Sequence, residues 1–562
     1  MNKIIFIGVL LLSQCKVEQK ADSIFYNGEI YTADAQDAVY EAVAIKDGLI
    51  LQTGKNEDVL KRKGNQTQLT NLEGQFVMPG LIEGHGHFLS MGSNLVNLNL
   101  LETKSWNEIL AKVQEKVSKE KPGTWIEGRG WHQEKWIESP GLTVSGYPYH
   151  EKLSQLSPEN PVILYHASGH ALIANLKAMQ LAHISNETTS PKGGRIIKDA
   201  QGKLTGIFEE NAMDLINIPY QEIKSKIPQE EKNKLLSNQA ELATNQCIRF
   251  GITSFQDAGS SWEEIQFLKS ACNNGLIKNR LYVMLYDQFE TILKDIQQLP
   301  IALDHKKNFS CHAVKAYLDG ALGSYGAWLT EAYEDKIDFH GQNTMPVADL
   351  DKLAQHCFAK NLQLCVHGIG DKGNHEILNT FEKYLKNNTK DIRWRIEHAQ
   401  HLDPLDIKRF KELSVIASIQ AIHCTSDAPF VVKRLGVKRA KEGAYAWRSL
   451  LNAGALLANG TDCPVESINP FECMYAAVTR KRLDNGYEFF PEQKMTRIEA
   501  LRSYTIWNAF AAKEEFIKGS LEVNKLADFI ILDRNLITCT DIELATTKVR
   551  QVFISGKTVY TH

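Results

Sequence analysis

Phe76-Val77-Met78-Pro79-Gly80-Leu81-Ile82-Glu83-Gly84-His85-Gly86-His87 decides how the rest of the chain is read. A short apolar run meets a Pro-Gly turn signal, and two histidines two residues apart close the stretch. On an extended strand, residues i and i+2 share a face, so the two imidazoles stand side by side at a strand end. Gly86 leaves room between them, and such a pair can grip one metal ion. Taken alone, the pair describes two surface histidines after a turn equally well, so the rest of the chain has to decide.

Working outward, the middle of the chain repeats a strand-then-helix rhythm. The runs Gly251–Asp257, Arg280–Tyr286, Ala313–Gly320, Leu362–His367, Trp394–His398, Val415–Gln420 and Ala455–Asp462 all read as strands. Helical stretches such as 350–360 and 373–386 lie between most of them. With the run into His87 they make eight candidate parallel strands, whose natural closure is an α/β fold, a (β/α)₈ TIM-like barrel over residues 79–514. The interval from residue 90 to 245 is far too long for a loop and predicts a subdomain inserted after the first strand, at about 95–245. Strand-like segments within 25–78 are echoed at 527–533 and 549–559. They predict a small β-sandwich built from both chain ends, residues 22–78 with 515–562.

The chain has 562 residues, enough for a large core and more than one domain, and a net charge of -3 that excludes a nucleic-acid footprint. No stretch after residue 20 is apolar for long enough to span a bilayer. Residues 1–20 differ: Lys3 precedes a run, Ile4 to Leu12, that is apolar apart from Gly8, the pattern of an export signal. Leu12-Ser13-Gln14-Cys15 then resembles a bacterial lipoprotein signal, in which Cys15 would carry the lipid, although Gln14 stands where a small residue is usual. The competing readings are an ordinary cleaved signal and a buried first strand. The expectation is an exported protein of the cell envelope or periplasm that meets a membrane only through that anchor. The ten cysteines form no CxxC pair and no framework, so they should be small buried hydrophobes rather than disulfides. So many free thiols sit awkwardly with export.

Barrel enzymes carry their reacting groups at the C-terminal ends of the strands. There the sequence places His85 and His87 on the first strand, Lys315 on the fourth, His367 on the fifth, His398 on the sixth and Asp462 on the eighth. Singly, each has a bland reading: a core histidine, an ion-paired lysine, a helix-capping aspartate. Together they form a convergent nitrogen and oxygen set suited to Zn²⁺ or a similar divalent ion.

At this point a resemblance becomes specific. Pro79–His87 looks like the signature of the amidohydrolase superfamily, and Val366–Asp371, Arg395–Gln400 and Thr461–Glu466 look like its amidohydrolase-3, YtcJ-like branch. So do Val314–Ser324 and the closing Gly519-Ser520-Leu521 with Lys525–Phe529. The resemblance runs from about residue 22 to the end. It implies that His85 and His87 hold one metal, that His367 and His398 hold a second, and that Lys315 bridges them as a carbamate. One or two ions fit the pattern. Asp462 would take the proton of the activated water, a task that suits a carboxylate whose pKa the site raises. Trp131, His170, Glu210, Asp319, Gln420, His423 and Arg480 fall in similar motifs and are candidate substrate contacts, Arg480 for a carboxylate. The implied activity is hydrolysis of non-peptide carbon–nitrogen bonds in a small molecule, such as amide, N-acyl or N-formyl substrates. A deaminase on the same scaffold and a metal-free binding protein are the alternatives. Homo-oligomerisation is left open.

Overall fold

The computed structural model describes residues 19–303 and 307–562. Eight strands pair parallel, in chain order, into one sheet. They are β1 (Leu81–Gly86), β2 (Ile252–Ser260), β3 (Arg280–Leu285), β4 (Phe309–Tyr317), β5 (Gln363–Gly368), β6 (Arg395–His398), β7 (Ile416–Ile419) and β8 (Leu457–Asn459). The strands are buried almost throughout, as expected of a parallel sheet covered on both faces. The surrounding helices turn one apolar stripe inward. In Val347–Ala359, for example, Leu350, Leu353, Ala354 and Cys357 are buried.

The sheet curls until β8 meets β1. The Asp462 N–H donates to the His85 carbonyl at 2.7 Å, and the Asn508 side-chain amide donates to the Ile82 and Asn459 carbonyls, each at 2.7 Å. Glu83 accepts the Thr461 N–H at 2.6 Å across the same seam. All eight strands expected from the sequence are present and the barrel follows. Phe76–Pro79 pairs antiparallel with Phe529–Leu532 in another sheet, and β1 begins after Gly80, at the Pro-Gly turn. Gly80 is required there because a Cβ would lie 2.3 Å from Thr253 Oγ1.

Between β1 and β2 the chain forms a six-stranded sheet that includes Ile126–Trp131, Val162–His166 and Leu204–Glu210. The two chain ends build a four-stranded and a six-stranded sheet, and Phe25, Phe529 and Phe553 pack between them. A bidentate pair, Arg280 Nε to Asp528 Oδ2 at 2.6 Å and Arg280 Nη2 to Asp528 Oδ1 at 2.8 Å, ties the C-terminal segment to the barrel. The nine described cysteines are all free and eight are buried. Among the described residues no helix is long and apolar enough to cross a membrane. Cys15 lies outside them.

Candidate functional site

β1 ends at Gly86, and His87 caps the helix Phe88–Val96, whose first N–H is held by Asp257 Oδ1 at 2.8 Å. This turn aims both imidazoles at Asp462: His87 Nε2 lies 3.2 Å and His85 Nε2 3.6 Å from its Oδ1. Asp462 has a left-handed backbone, φ 57°, and so does His398, φ 73°. Such strain persists where the surroundings over-determine it. Here the Asp462 N–H is bound to His85, its carbonyl accepts from Val465 at 2.7 Å, and Glu83 holds the preceding Thr461. The His398 ring lies 5.0 Å from that of His85 and 4.4 Å from that of His367. His423, on the helix Ala421–Ser426 after β7, brings Nε2 to 4.0 Å from Asp462 Oδ2.

Electrostatics favour neutral imidazoles. Burial, then the charge of Lys315, pushes His85 down to about 4. Burial and neighbouring imidazoles hold His367 and His398 well below the usual histidine range. Neutral imidazoles are the ligating form. Glu397 fixes which nitrogen of His85 is free. Its Oε2 is 2.5 Å from His85 Nδ1, so that nitrogen carries the proton and Nε2 keeps its lone pair. Burial acts to raise the Glu397 pKa, but Arg395, 2.7 Å away, together with His85 holds the carboxyl well below the usual range.

Lys315 is fully buried on β4, with Nζ 4.4 Å from the Tyr317 ring centre, and burial lowers its pKa. Asp462 departs from expectation. Burial acts to raise it, but the bond to His87 and the neighbouring imidazoles outweigh burial and hold it below the usual carboxylate range. It therefore stays an ionised acceptor at neutral pH rather than a carboxyl poised near it.

His85 Nε2, both ring nitrogens of His367, His398 Nδ1, His423 Nε2 and Lys315 Nζ are buried without a hydrogen-bond partner among the described residues. Buried polar atoms are rarely left so, and never in such numbers at one place without a reason. Ligand atoms of His85, His87 and Asp462, and of His398, His423 and Asp462, lie within 4.8 Å of one another. The donor set fits a divalent cation.

The structure brings together at one rim all six residues that the sequence nominated for the centre. Of these, His87, His367, His398 and Asp462 line a cleft of about 760 Å³, which His170 and Asp319 also line. His170 Nδ1 is 2.8 Å from Glu210 Oε2. Asp319 accepts the N–H groups of Trp328, Ile369 and Gly370 at 2.8–3.0 Å, while burial pushes its carboxyl up to about 7.

Three nominated substrate contacts lie elsewhere. Trp131 is fully buried in the core of the insertion, where Nε1 donates to the Leu164 carbonyl at 2.8 Å. Arg480 is equally buried: it donates to the carbonyls of Phe489 and Tyr445, stacks over Trp447, and meets no carboxylate in the cleft. Gln420 turns back to the Ser418 carbonyl at 3.1 Å. Sequence reasoning passed over Glu397 and Asp257, and placed His423 only at the mouth. The Arg395-Ile396-Glu397 alternation, two charges on the inner face of a barrel strand, was the available signal for Glu397.

A (β/α)₈ barrel with imidazoles, an amine and a carboxylate converging at its strand ends is the architecture of metal-dependent hydrolases. A model of the Amidohydrolase family matches residues 68–560, and the chain belongs to that family. It is 32% identical over 553 residues to Protein LONG AFTER FAR-RED 3 of Arabidopsis thaliana, covering 96% of this chain and 92% of that one. It is 28% identical to the putative amidohydrolase YtcJ of Bacillus subtilis (96% and 99% covered) and 24% identical to the N-substituted formamide deformylase of Arthrobacter pascens (96% and 98%). A solved structure, an uncharacterized metal-dependent hydrolase from Pyrococcus furiosus, superposes with a TM-score of 0.70 at 26% identity, covering 92% of this chain and 100% of that one. The amidohydrolase resemblance is thereby borne out, and the protein is a hydrolase.

Proposed function

We propose that the protein hydrolyses carbon–nitrogen bonds other than peptide bonds in small amides, with N-acyl and N-formyl amines as substrates. The observation that carries this is the set of buried, partnerless ligand atoms grouped around Asp462 at the floor of the cleft. The similarity to an N-substituted formamide deformylase supports the bond type. His85 and His87 would hold Zn²⁺, with His367 and His398 for a second ion and Lys315, whose pKa burial lowers, joining them as a carbamate. His423 is a further ligand candidate. Bound there, a divalent ion supplies Lewis acidity at the scissile carbonyl and brings the ionisation of water towards neutral pH.

The chain's own residues do the rest. Asp462, facing both β1 imidazoles, accepts a proton from the attacking water and returns it to the leaving nitrogen. Glu397 keeps His85 in one tautomer. The segment between β1 and β2, read as an inserted subdomain, supplies Arg129, His170 and Glu210 to the cleft and limits access of bulk water. The terminal sheets, read as one composite sandwich, brace the barrel from outside the site. The Lys3 to Leu12 pattern supports export to the cell envelope with Cys15 as a lipid attachment point.

The test is hydrolysis of N-formyl and N-acyl amines by protein carrying a defined load of Zn²⁺. Amine release that depends on the metal is expected. Failure of the metal-loaded protein to cleave any of them would refute the reading.

A further inference from the structure

Two cavities meet at Asp462. The open cleft measures about 760 Å³ and an inner chamber about 40 Å³. Ser168, His170, His367, His398, Asp462 and Val465 line both, so the candidate metal centre is the wall between them. A scissile bond held at that wall has one half in each space. The inner chamber is bounded by the insertion on one side and the barrel on the other. His132 stacks on Phe430 with ring centres 5.3 Å apart, and Lys135 pairs with Glu466 at 3.1 Å. One water needs roughly 10–15 Å³ of such space, so the chamber admits about three groups of that size. That is enough for a formyl or acetyl group and too little for a longer acyl chain.

Charge and wall chemistry assign the halves. Six carboxylates line the open cleft (Glu210, Asp214, Asp287, Asp319, Asp349 and Asp462), against the lysine and arginine charges of Arg129 and Lys192 alone. A departing alkylamine is protonated at neutral pH, and an acidic cleft suits an ammonium product. The inner chamber has the apolar wall of Ala321, Leu322 and Phe430; its Lys135 is paired with Glu466, and Asp427 and Asp462 also line it, so small volume and apolar wall rather than charge mark it as the space for a short acyl group.

We propose that the inner chamber is the acyl subsite and confines substrates to N-formyl and N-acetyl derivatives of larger amines, whose amine half fills the open cleft. This rests on the hydrolase reading above. In the reaction the water oxygen bonds to the acyl carbon and the carbon–nitrogen bond breaks. The nitrogen takes both protons of that water, leaving a short carboxylate in the chamber and an ammonium in the cleft.

The experiment uses the full chain loaded with Zn²⁺ and phenethylamine acylated with formyl, acetyl, butanoyl and hexanoyl groups. Each extra methylene in a closed pocket is worth about 10–200-fold. kcat/KM should therefore fall at least ~100-fold from acetyl to butanoyl, whereas enlarging the amine should change it less than the acyl series does. Gly323→Ala, whose Cβ would lie 3.2 Å from both His132 Nε2 and Phe430 Cζ, should lower the acetyl-to-formyl ratio. Phe430→Leu should raise the butanoyl-to-acetyl ratio. Calorimetric binding of the product carboxylates reads the same chamber without turnover: formate and acetate should bind, hexanoate should not, and Phe430→Leu should admit butanoate. Rates indifferent to acyl length, or size discrimination in the amine half instead, overturn the subsite and leave the hydrolase reading standing. Cleavage of no member of the series overturns both.

Discussion

Replacing Glu397 by glutamine keeps the shape of the side chain and removes its charge. The consequences follow from two distances. His85 Nδ1 is 2.5 Å from Glu397 Oε2, so the carboxylate dictates the Nδ1–H tautomer and leaves Nε2 free to ligate. A glutamine can turn its NH₂ group towards Nδ1 instead, which moves the ring proton to Nε2 and cancels the ligand. Loss of such a supporting carboxylate costs about 10–100-fold in metal affinity, or about 1.4–2.7 kcal/mol. Arg395 Nε, 2.7 Å from Glu397 Oε1, also loses its counter-charge. An unpaired buried cation costs about 3–5 kcal/mol of stability, so the variant should melt lower as well. The two effects separate experimentally. Zn²⁺ affinity is measured by competition with a chromophoric chelator at a temperature where circular dichroism shows the variant folded, beside Glu397→Asp, which restores the charge. Weakened binding in the glutamine variant, partly recovered in the aspartate variant, is expected. Wild-type affinity in folded Glu397→Gln would refute the argument that this carboxylate sets the state of His85.

Asp462→Asn should abolish amine release while metal analysis still finds bound ion; substantial residual turnover would argue against its role in proton transfer. Chelation should lower the melting temperature and Zn²⁺ restore it, since an ion that binds only the folded form stabilises it by mass action; an unchanged melt would count against a resident metal. Asn508→Ala removes the amide that bridges β1 and β8, and should destabilise by about 2–4 kcal/mol in urea melts, because buried backbone carbonyls lose their donors. Burial alone lowers His401 to about 3, so the unfolded chain binds its proton first. The stability this provides is complete above about pH 6.5 and is lost as pH falls towards 3, and His401→Asn should flatten that slope in denaturation midpoints taken across the range. Cys15→Ala should release the protein from the membrane fraction, and an unchanged distribution would remove the case for a lipid anchor.

The barrel was legible because its strands are apolar, short and punctuated. The centre was legible because parallel strands in register deliver their C-terminal residues to one rim. His85, Lys315, His367, His398 and Asp462 could thus be gathered from positions nearly four hundred residues apart. What escaped was partnership across the barrel. Glu397 lies 312 residues from His85, and no local pattern announces that pairing. Trp131 and Arg480 misled for a related reason. An aromatic or a cation beside a turn looks the same whether it faces a cleft or, as here, spends its N–H groups on buried carbonyls. The Pro79–Gly80 signal was correctly seen as a break, but whether it separates two sheets or bends one strand depends on Phe529–Leu532, which arrives 450 residues later.

That late arrival has a consequence for how the protein is made. Phe76–Pro79 leads directly into the strand bearing His85, yet its neighbour on one side is Phe529–Leu532. While the ribosome is still working through the barrel, the base of the first ligand strand lacks that neighbour, and it stays so until Phe529–Leu532 has been made. Deletion of Phe529–Leu532, far from the cleft, should therefore be felt at the histidines, and nascent chains should acquire their metal only once that segment has emerged.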